Sequence, residues 1–196
     1  MMKWIPVVLA LLLTACSSSS SEKAYYQLPT LDSGNTTQQT AAQSGSLLAS
    51  STAPRSLWIE HVGVADYLAG SGVVYQTNDV QYVIAANNLW ASPLDQQLQQ
   101  TLTSYLRRGL PGWIVTGQQP EAGAQDRLNV EVTGFHGRYD GNAVISGYWT
   151  LSHDGQTTQR NFSFVLKQQA DGYDALVRTL AAGWQQEASS IISQIR

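Results

Sequence analysis

Few side chains in this 196-residue chain are of types that do chemistry, and their spacing thins them further. The single cysteine, Cys16, stands between an apolar run and a row of serines in LLLTACSSSS. A lone thiol cannot close an intramolecular disulfide, and no second Cys or His lies near it at zinc-ligand spacing, so redox and metal roles fail together. The three histidines, His61, His136 and His153, are far apart in sequence. His61 and His136 fall within strand patterns and His153 precedes an Asp-Gly turn, so each reads as an ordinary strand or turn residue. No Gly-x-Ser-x-Gly elbow presents a nucleophile. Gly70-Ser71-Gly72 lacks the lysine and the strand-to-helix order of a phosphate loop, and reads as a bend or bulge. Asp66, Asp79 and Asp95 show no spacing that pairs an acid with a base, and suit turns and caps. The sequence therefore predicts no catalytic residue, no metal site and no enzyme; the chemistry that remains is at the sulfur of Cys16.

The residues before Cys16 say what that sulfur is for. Lys3, an apolar run over residues 5–13 and the small pair Thr14-Ala15 make a secretory signal over residues 1–15. The run is far short of the roughly 20 residues that span a bilayer. Leu13-Thr14-Ala15-Cys16 resembles the bacterial lipobox, in which the sulfur receives a diacylglyceryl group, the chain is cut before the cysteine, and the freed amine is acylated. The plain alternative is a signal cut after Ala15 with Cys16 merely adjacent. Each buried methylene adds about 0.8 kcal/mol to membrane binding, so one acyl chain holds marginally, two hold stably, and three are effectively permanent. Charge gives no help: the chain carries 11 Lys and Arg against 14 Asp and Glu, and losing Lys3 with the signal takes the balance from −3 to −4. That balance also excludes a nucleic-acid surface.

Stepping along the chain, residues 16–24 form the lipidated cysteine and a polar tether, and residues 25–196 the domain, interrupted by a low-complexity segment at residues 30–54 that is predicted to be mobile. Residues 25–28, Tyr-Tyr-Gln-Leu, are strand formers stopped by Pro29. If they dock as a first strand, the tether is eight residues, about 28 Å at full stretch; if they do not, the flexible arm reaches residue 54. From Leu57 the pattern is globular. Leu57, Ile59 and His61 alternate onto one face of a strand. Two short β-rich runs around Thr77-Asn78-Asp79 predict a hairpin. Ser92 as N-cap and Pro93 in the first turn open a helix whose stripe is Leu94, Leu98, Leu102 and Leu106, with Gln96, Gln97 and Gln100 outside it, ended by Gly109 and Pro111. A strand at residues 113–116 follows. Asp140-Gly141 and Asp154-Gly155 then divide three long runs into an antiparallel meander, and residues 173–195 carry Leu176, Leu180, Trp184, Ala188, Ile191 and Ile195 on one helical face. The expected fold is α/β: a two-layer sandwich of a mixed, largely antiparallel sheet with two main helices.

With 43% hydrophobic residues the chain can bury a sizeable core. Core packing accounts for most of Trp58, Trp90, Trp113, Trp149 and Trp184. The stretch holding Tyr67, Leu68, Tyr75, Asn87, Asn88 and Trp90 has more aromatic and amide content than its short strands need. It is the candidate surface for a partner or for self-association; the alternative is a loop packed on its own domain.

Residues 66–97, DYLAGSGVVYQTNDVQYVIAANNLWASPLDQQ, resemble the ABC-type transport auxiliary lipoprotein family, as do the lipobox, YYQLP at Tyr25, LPGW at Leu110, GRYDG at Gly137 and DGYD at Asp171. Residues 30–54 lie outside the resemblance. It implies a fold like the amino-terminal domain of TolB and ring-like self-association. It implies a protein facing the periplasm from the outer membrane, with Ser17 in the position that sorts such lipoproteins there. It further implies work beside an inner-membrane protein and a periplasm-spanning protein of the mammalian-cell-entry (MCE) type, in lipid traffic between membranes and in envelope integrity, without a cofactor beyond the covalent diacylglyceryl and N-acyl lipid on Cys16. On these grounds the chain is expected to dock an MCE-type protein to the outer membrane. The alternatives are a module that itself binds lipid, and a cell-wall hydrolase or its activator.

Overall fold

A computed structural model describes residues 22–29, 55–119 and 125–196. Cys16, the signal segment and residues 30–54 lie outside the described residues. In chain order the elements are β1 (Ala24–Tyr26), β2 (Ser56–Val64), a 3-10 turn (Asp66–Leu68), β3 (Gly72–Gln76), β4 (Tyr82–Trp90), α1 (Leu94–Gly109), β5 (Ile114–Thr116), β6 (Asp126–Arg138), β7 (Asn142–His153), β8 (Gln156–Lys167) and α2 (Tyr173–Ile195). The architecture is the α/β one expected, a single mixed sheet with two helices. The helices pack on each other and on the sheet, α1 over β2 and β5, α2 over β7 and β8.

β6 is the spine. Its length lets it carry β7 antiparallel along one side, from Arg127 opposite Ser152 to Gly137 opposite Ala143. Its other side is shared: β2 runs parallel to the first half, and β3 meets it only at Tyr75 beside Gly137 and Gln76 beside Arg138. β8 pairs β7 without a register break. That hairpin turns through Asp154 and Gly155, at φ 47° and 77°, the left-handed pair that matches the twist of the strands it joins. β4 returns from β3, β1 lies parallel on β4, and β5 lies parallel on β2.

Three details depart from the sequence reading. In β2 a bulge at Glu60 breaks the alternation, so Ile59 and Val62 both enter the core while His61 turns to solvent. The N-cap of α1 is Pro93, without a side-chain bond, and not Ser92. Gln97, placed outside the apolar stripe by its polarity, is 1% exposed.

The Gln97 amide is buried because it ties β1 to the body. Its Oε1 accepts the backbone N–H of Leu28 at 2.8 Å, and its Nε2 donates to the Ser92 carbonyl at 2.9 Å and reaches the Tyr26 carbonyl at 3.5 Å. Tyr26 also accepts the Ala91 N–H on its carbonyl at 2.8 Å and donates its hydroxyl to Asn88 Oδ1 at 3.1 Å. Leu28 is 1% exposed, and the Tyr105 hydroxyl closes the segment by donating to the Pro29 carbonyl. The first strand therefore docks, and the backbone groups a three-residue strand would leave unpaired are satisfied.

Between the layers, Trp149 and Trp184 are fully packed, and the Trp184 indole donates to the Leu98 carbonyl at 3.1 Å, joining the helices. Gly183 lets α2 approach closely: a Cβ there would sit 2.5 Å from Ile145 Cδ1. Glu187, next to this contact, is 1% exposed, and neither of its oxygens has a hydrogen-bond partner. Burial pushes its carboxyl up to about 7. Between its unfolded value and about 7 the folded protein holds a proton that the unfolded chain releases, so stability falls as pH rises through that window.

Two outcomes are expected. Gln97→Leu leaves the Leu28 N–H buried without a partner and lowers stability by about 1 to 3 kcal/mol, with faster hydrogen exchange at Leu28; an unchanged exchange rate there contradicts the tie. Glu187→Gln keeps the uncharged shape and raises stability at pH 8 by about 2 to 3 kcal/mol, flattening the urea-melt pH profile between pH 5 and 8; a slope equal to the parent's contradicts the assignment.

Candidate functional site

The residues capable of acid-base chemistry are held apart by the sheet. His61 sits beside Asn129 on β6 while His136 lies seven positions further along the same strand, about 23 Å away. His153 is on β7, beyond the level of Arg127. Its Nδ1 lies 2.5 Å from Asp126 Oδ1 and its Nε2 3.4 Å from Asp154 Oδ2, so both ring nitrogens face carboxylates and neither is free to act as a base. The Asp126 contact raises the His153 pKa, which favours the charged ring. Arg55 binds the other oxygen of Asp126 at 3.2 Å and lies 3.9 Å over the Trp113 ring. This cluster clasps the starts of β2 and β6 to the end of β7; its geometry is structural. His136 is 4% exposed and its pKa is lowered by burial, leaving it neutral. Among the described residues no group of three or more His, Cys, Asp or Glu side chains could hold a metal.

What gathers instead is a set of aromatic and aliphatic side chains around the β3–β4 hairpin. Tyr82 packs edge-on against His136 at 5.1 Å between centroids and against Tyr67 at 5.1 Å. The Tyr67 hydroxyl donates to the Thr133 carbonyl at 2.9 Å, and burial pushes its pKa up to about 12. The 3-10 turn thus lays Tyr67 as a cover over His136. Of the other residues read as a candidate surface, Tyr75 is half-buried, and Asn88 is taken up by Tyr26. Asn87 and Asn88 lie on β4 and not in a loop, because β1 extends the pairing to Trp90. Leu68 and Trp90 are corrections: at 0% and 4% exposure they are core, Leu68 because the 3-10 turn points it inward and Trp90 because it packs on Phe135 at 6.2 Å. No surface can include them.

The exposed apolar residues were read as turn and strand in the sequence. Val80 is 82% exposed, with Tyr82, Val83 and Ile84 following it out of the body. The signal was present: Tyr82, Val83 and Ile84 are consecutive large apolar residues in a strand, which a one-faced strand does not need. Larger depressions are open surface grooves; one of about 620 Å³ runs between β8 and α2, with Leu166, Ala175 and Ala182 on its walls and Lys167 and Arg178 at its rim. No helix among the described residues is long and apolar enough to cross a membrane.

Over all 196 residues the chain is 54% identical to the intermembrane transport lipoprotein PqiC of Escherichia coli K12 and equally to that of Shigella flexneri, covering 98% of each. A crystal structure of an uncharacterized protein, 54% identical, superposes with a TM-score of 0.75 over 89% of this chain and 99% of that one. A Xanthomonas campestris protein at 15% identity shares the fold at a TM-score of 0.59, over 71% of this chain and 83% of that one. A family profile described as the ABC-type transport auxiliary lipoprotein component matches residues 35–192, which includes much of the 30–54 segment that the sequence motifs had left outside. That family is one of transport-system lipoproteins and not of enzymes. With its mixed sheet, its two helices and its dispersed histidines, this chain belongs to the ABC-type transport auxiliary lipoprotein family.

Proposed function

We propose that the protein is an outer-membrane lipoprotein that holds a periplasm-spanning MCE-type protein to that membrane, and so supports lipid transport and envelope integrity by attachment. Residues 1–15 are its signal and Cys16 its acylated residue; Ser17 favours the outer membrane. The observation that carries this reading is the docking of β1. Ala24 is fixed on β4 eight residues after Cys16, so a lipid on that sulfur would hold the domain within about 28 Å of its leaflet. A mobile carrier would need a long arm, whereas an adaptor needs a short one.

Ring-like self-association is supported by β8. This strand runs for 12 residues, pairs only β7 among the described residues, and has neither a bulge nor a proline along its length. Its two charged residues, Arg160 and Lys167, stand seven positions apart and leave the edge between them without a charge to block pairing. A copy docking that edge onto a different surface of its neighbour makes a head-to-tail contact, which closes into a ring where the rotation between copies closes. The groove beside β8 is the place where the protein itself would hold a lipid, but it is open along its length and edged with charge, which favours the adaptor over a lipid carrier.

The test is Cys16→Ala placed behind a signal that is cleaved without lipidation. The variant is expected to fold, to leave the membrane fraction, to co-purify with the periplasm-spanning protein, and to lose transport-dependent envelope integrity. Native mass spectrometry of this soluble form should give a closed oligomer. Full function of the released protein contradicts attachment as its role, and a monomer at cellular concentration contradicts the ring.

A further inference from the structure

The β3–β4 turn, the β6–β7 turn and the approach to β1 all lie at one end of the domain. β3 and β6 run parallel and finish together, Gln76 beside Arg138, so the two turns that follow are neighbours. β1 runs parallel to β4, away from the β3–β4 turn, so the chain arriving from Cys16 reaches Ala24 from the side of that turn. Five of the nine large apolar side chains that stand exposed among the described residues are at this end: Val80, Tyr82, Val83, Ile84 and Tyr139.

We propose that this end is a membrane-docking surface, with Val80 and Tyr139 seated among the phospholipid headgroups of the leaflet that holds the Cys16 lipid. The inference rests on the lipid-anchored reading of Cys16 and adds to it an orientation and a second, non-covalent contact. Chain length supports the choice of occupant. Tyr25 and Gly72 both align with Leu89, and Gly72 is four residues from Gln76, so the β1 level lies about 13 Å below the end of β3, with the turn at residues 77–81 beyond it. Eight residues of tether span at most about 28 Å, twice that distance. The opposite end begins at Asp126, eleven residues below Gly137 on β6, or about 36 Å. To set that end on the membrane the tether would have to run down the side of the domain at nearly full stretch.

The turns are built to present these side chains. In the first, the Thr77 N–H donates to the Gln81 carbonyl at 2.9 Å, the Val80 N–H to Asn78 Oδ1 at 3.0 Å, and Asn78 Nδ2 to Gln81 Oε1 at 3.2 Å. These bonds tie Thr77, Asn78 and Gln81 to one another, and Val80 is left outward beside the Asp79 carboxylate. That arrangement suits the interface, where water is scarce and unpaired polar groups are costly. In the second turn the Arg138 guanidinium forks onto Asp140, with contacts of 2.7 to 3.1 Å, so the pair reaches the surface electrically neutral beside Tyr139. An aromatic ring with a polar tip and a single aliphatic side chain are the kinds of groups that anchor a peripheral protein at headgroup depth. Arg138 is matched by Asp140 and the first tip carries only the acidic Asp79, so the surface does not depend on anionic lipid.

The test uses the full acylated protein in vesicles of phosphatidylethanolamine and phosphatidylglycerol. An environment-sensitive dye is attached through Val80→Cys, Tyr139→Cys or, on the exposed far part of α2, Ser193→Cys. Acylation blocks the sulfur of Cys16, so each variant carries one free thiol, and the parent chain should take no dye. Dyes at 80 and 139 are expected to be quenched about twofold or more by lipids spin-labelled near the headgroup, and the dye at 193 to be unaffected. If the protein floats with the vesicles and the dyes at 80 and 139 stay unquenched, the docking surface is wrong and the anchor stands. Failure to float, or dye on the parent chain, removes the anchor reading itself. Blue-shifted emission at 80 that depends on protein concentration and not on lipid assigns the surface to a second copy and overturns the proposal. As a second variant, Val80→Asp in the unacylated chain is expected to lower vesicle partitioning roughly tenfold with an unchanged melting temperature.

Discussion

One buried amide connects the part of this chain that would meet the membrane to the part that folds. Three residues of strand cannot hold themselves against a sheet; their few backbone bonds do not offset the entropy of ordering them. β1 stays because Gln97 reaches up from the first turns of α1 and bonds the Leu28 N–H and the Tyr26 and Ser92 carbonyls together, with Leu28 buried beneath. The same side chain thereby fixes where α1 begins, where β4 ends and where the amino-terminal arm leaves the domain. The short distance between Cys16 and the folded body follows from that bond pattern.

The rest of the fold is consistent with a protein that positions other molecules and does not transform them. The ionisable groups that lie in ion pairs or under cover are spent on structure. Asp126 ties Arg55 to His153, Asp140 is neutralised by Arg138, and His136 is kept uncharged under Tyr67 and Tyr82. Glu187 is the exception, a carboxyl buried without a hydrogen-bond partner. It lies in the layer between α2 and β7, away from the hairpin surface, and its effect is on stability.

Much of this was legible in the sequence for local reasons. The meander announced itself through Asp140-Gly141 and Asp154-Gly155, because only residues that tolerate left-handed φ make such tight turns. α2 matched its apolar periodicity from Tyr173 to Ile195. What failed depended on distant partners. Gln97 looked like a surface residue because its burial is justified by Leu28, 69 positions away. The bulge at Glu60 exists because β2 must match β6, which the alternation of β2 alone cannot reveal. Leu68 and Trp90 were read as surface because the segment seemed to be loop; pairing with β1 made Trp90 part of a strand and the 3-10 turn folded Leu68 inward. Conversely, Val80 drew no reading in the sequence, since exposure at a hairpin tip is visible only once the hairpin is seen to project.

The proposed function requires a fixed, short distance between the acyl anchor and the domain. Lengthening the tether tests it directly: a flexible Gly-Ser insertion of about 20 residues between Ser21 and Glu22, reaching several tens of ångströms further, changes no residue of the folded domain. The lengthened protein is expected to stay in the membrane fraction and fold normally while envelope integrity under transport-dependent stress is lost. Full function with the lengthened tether would contradict that requirement.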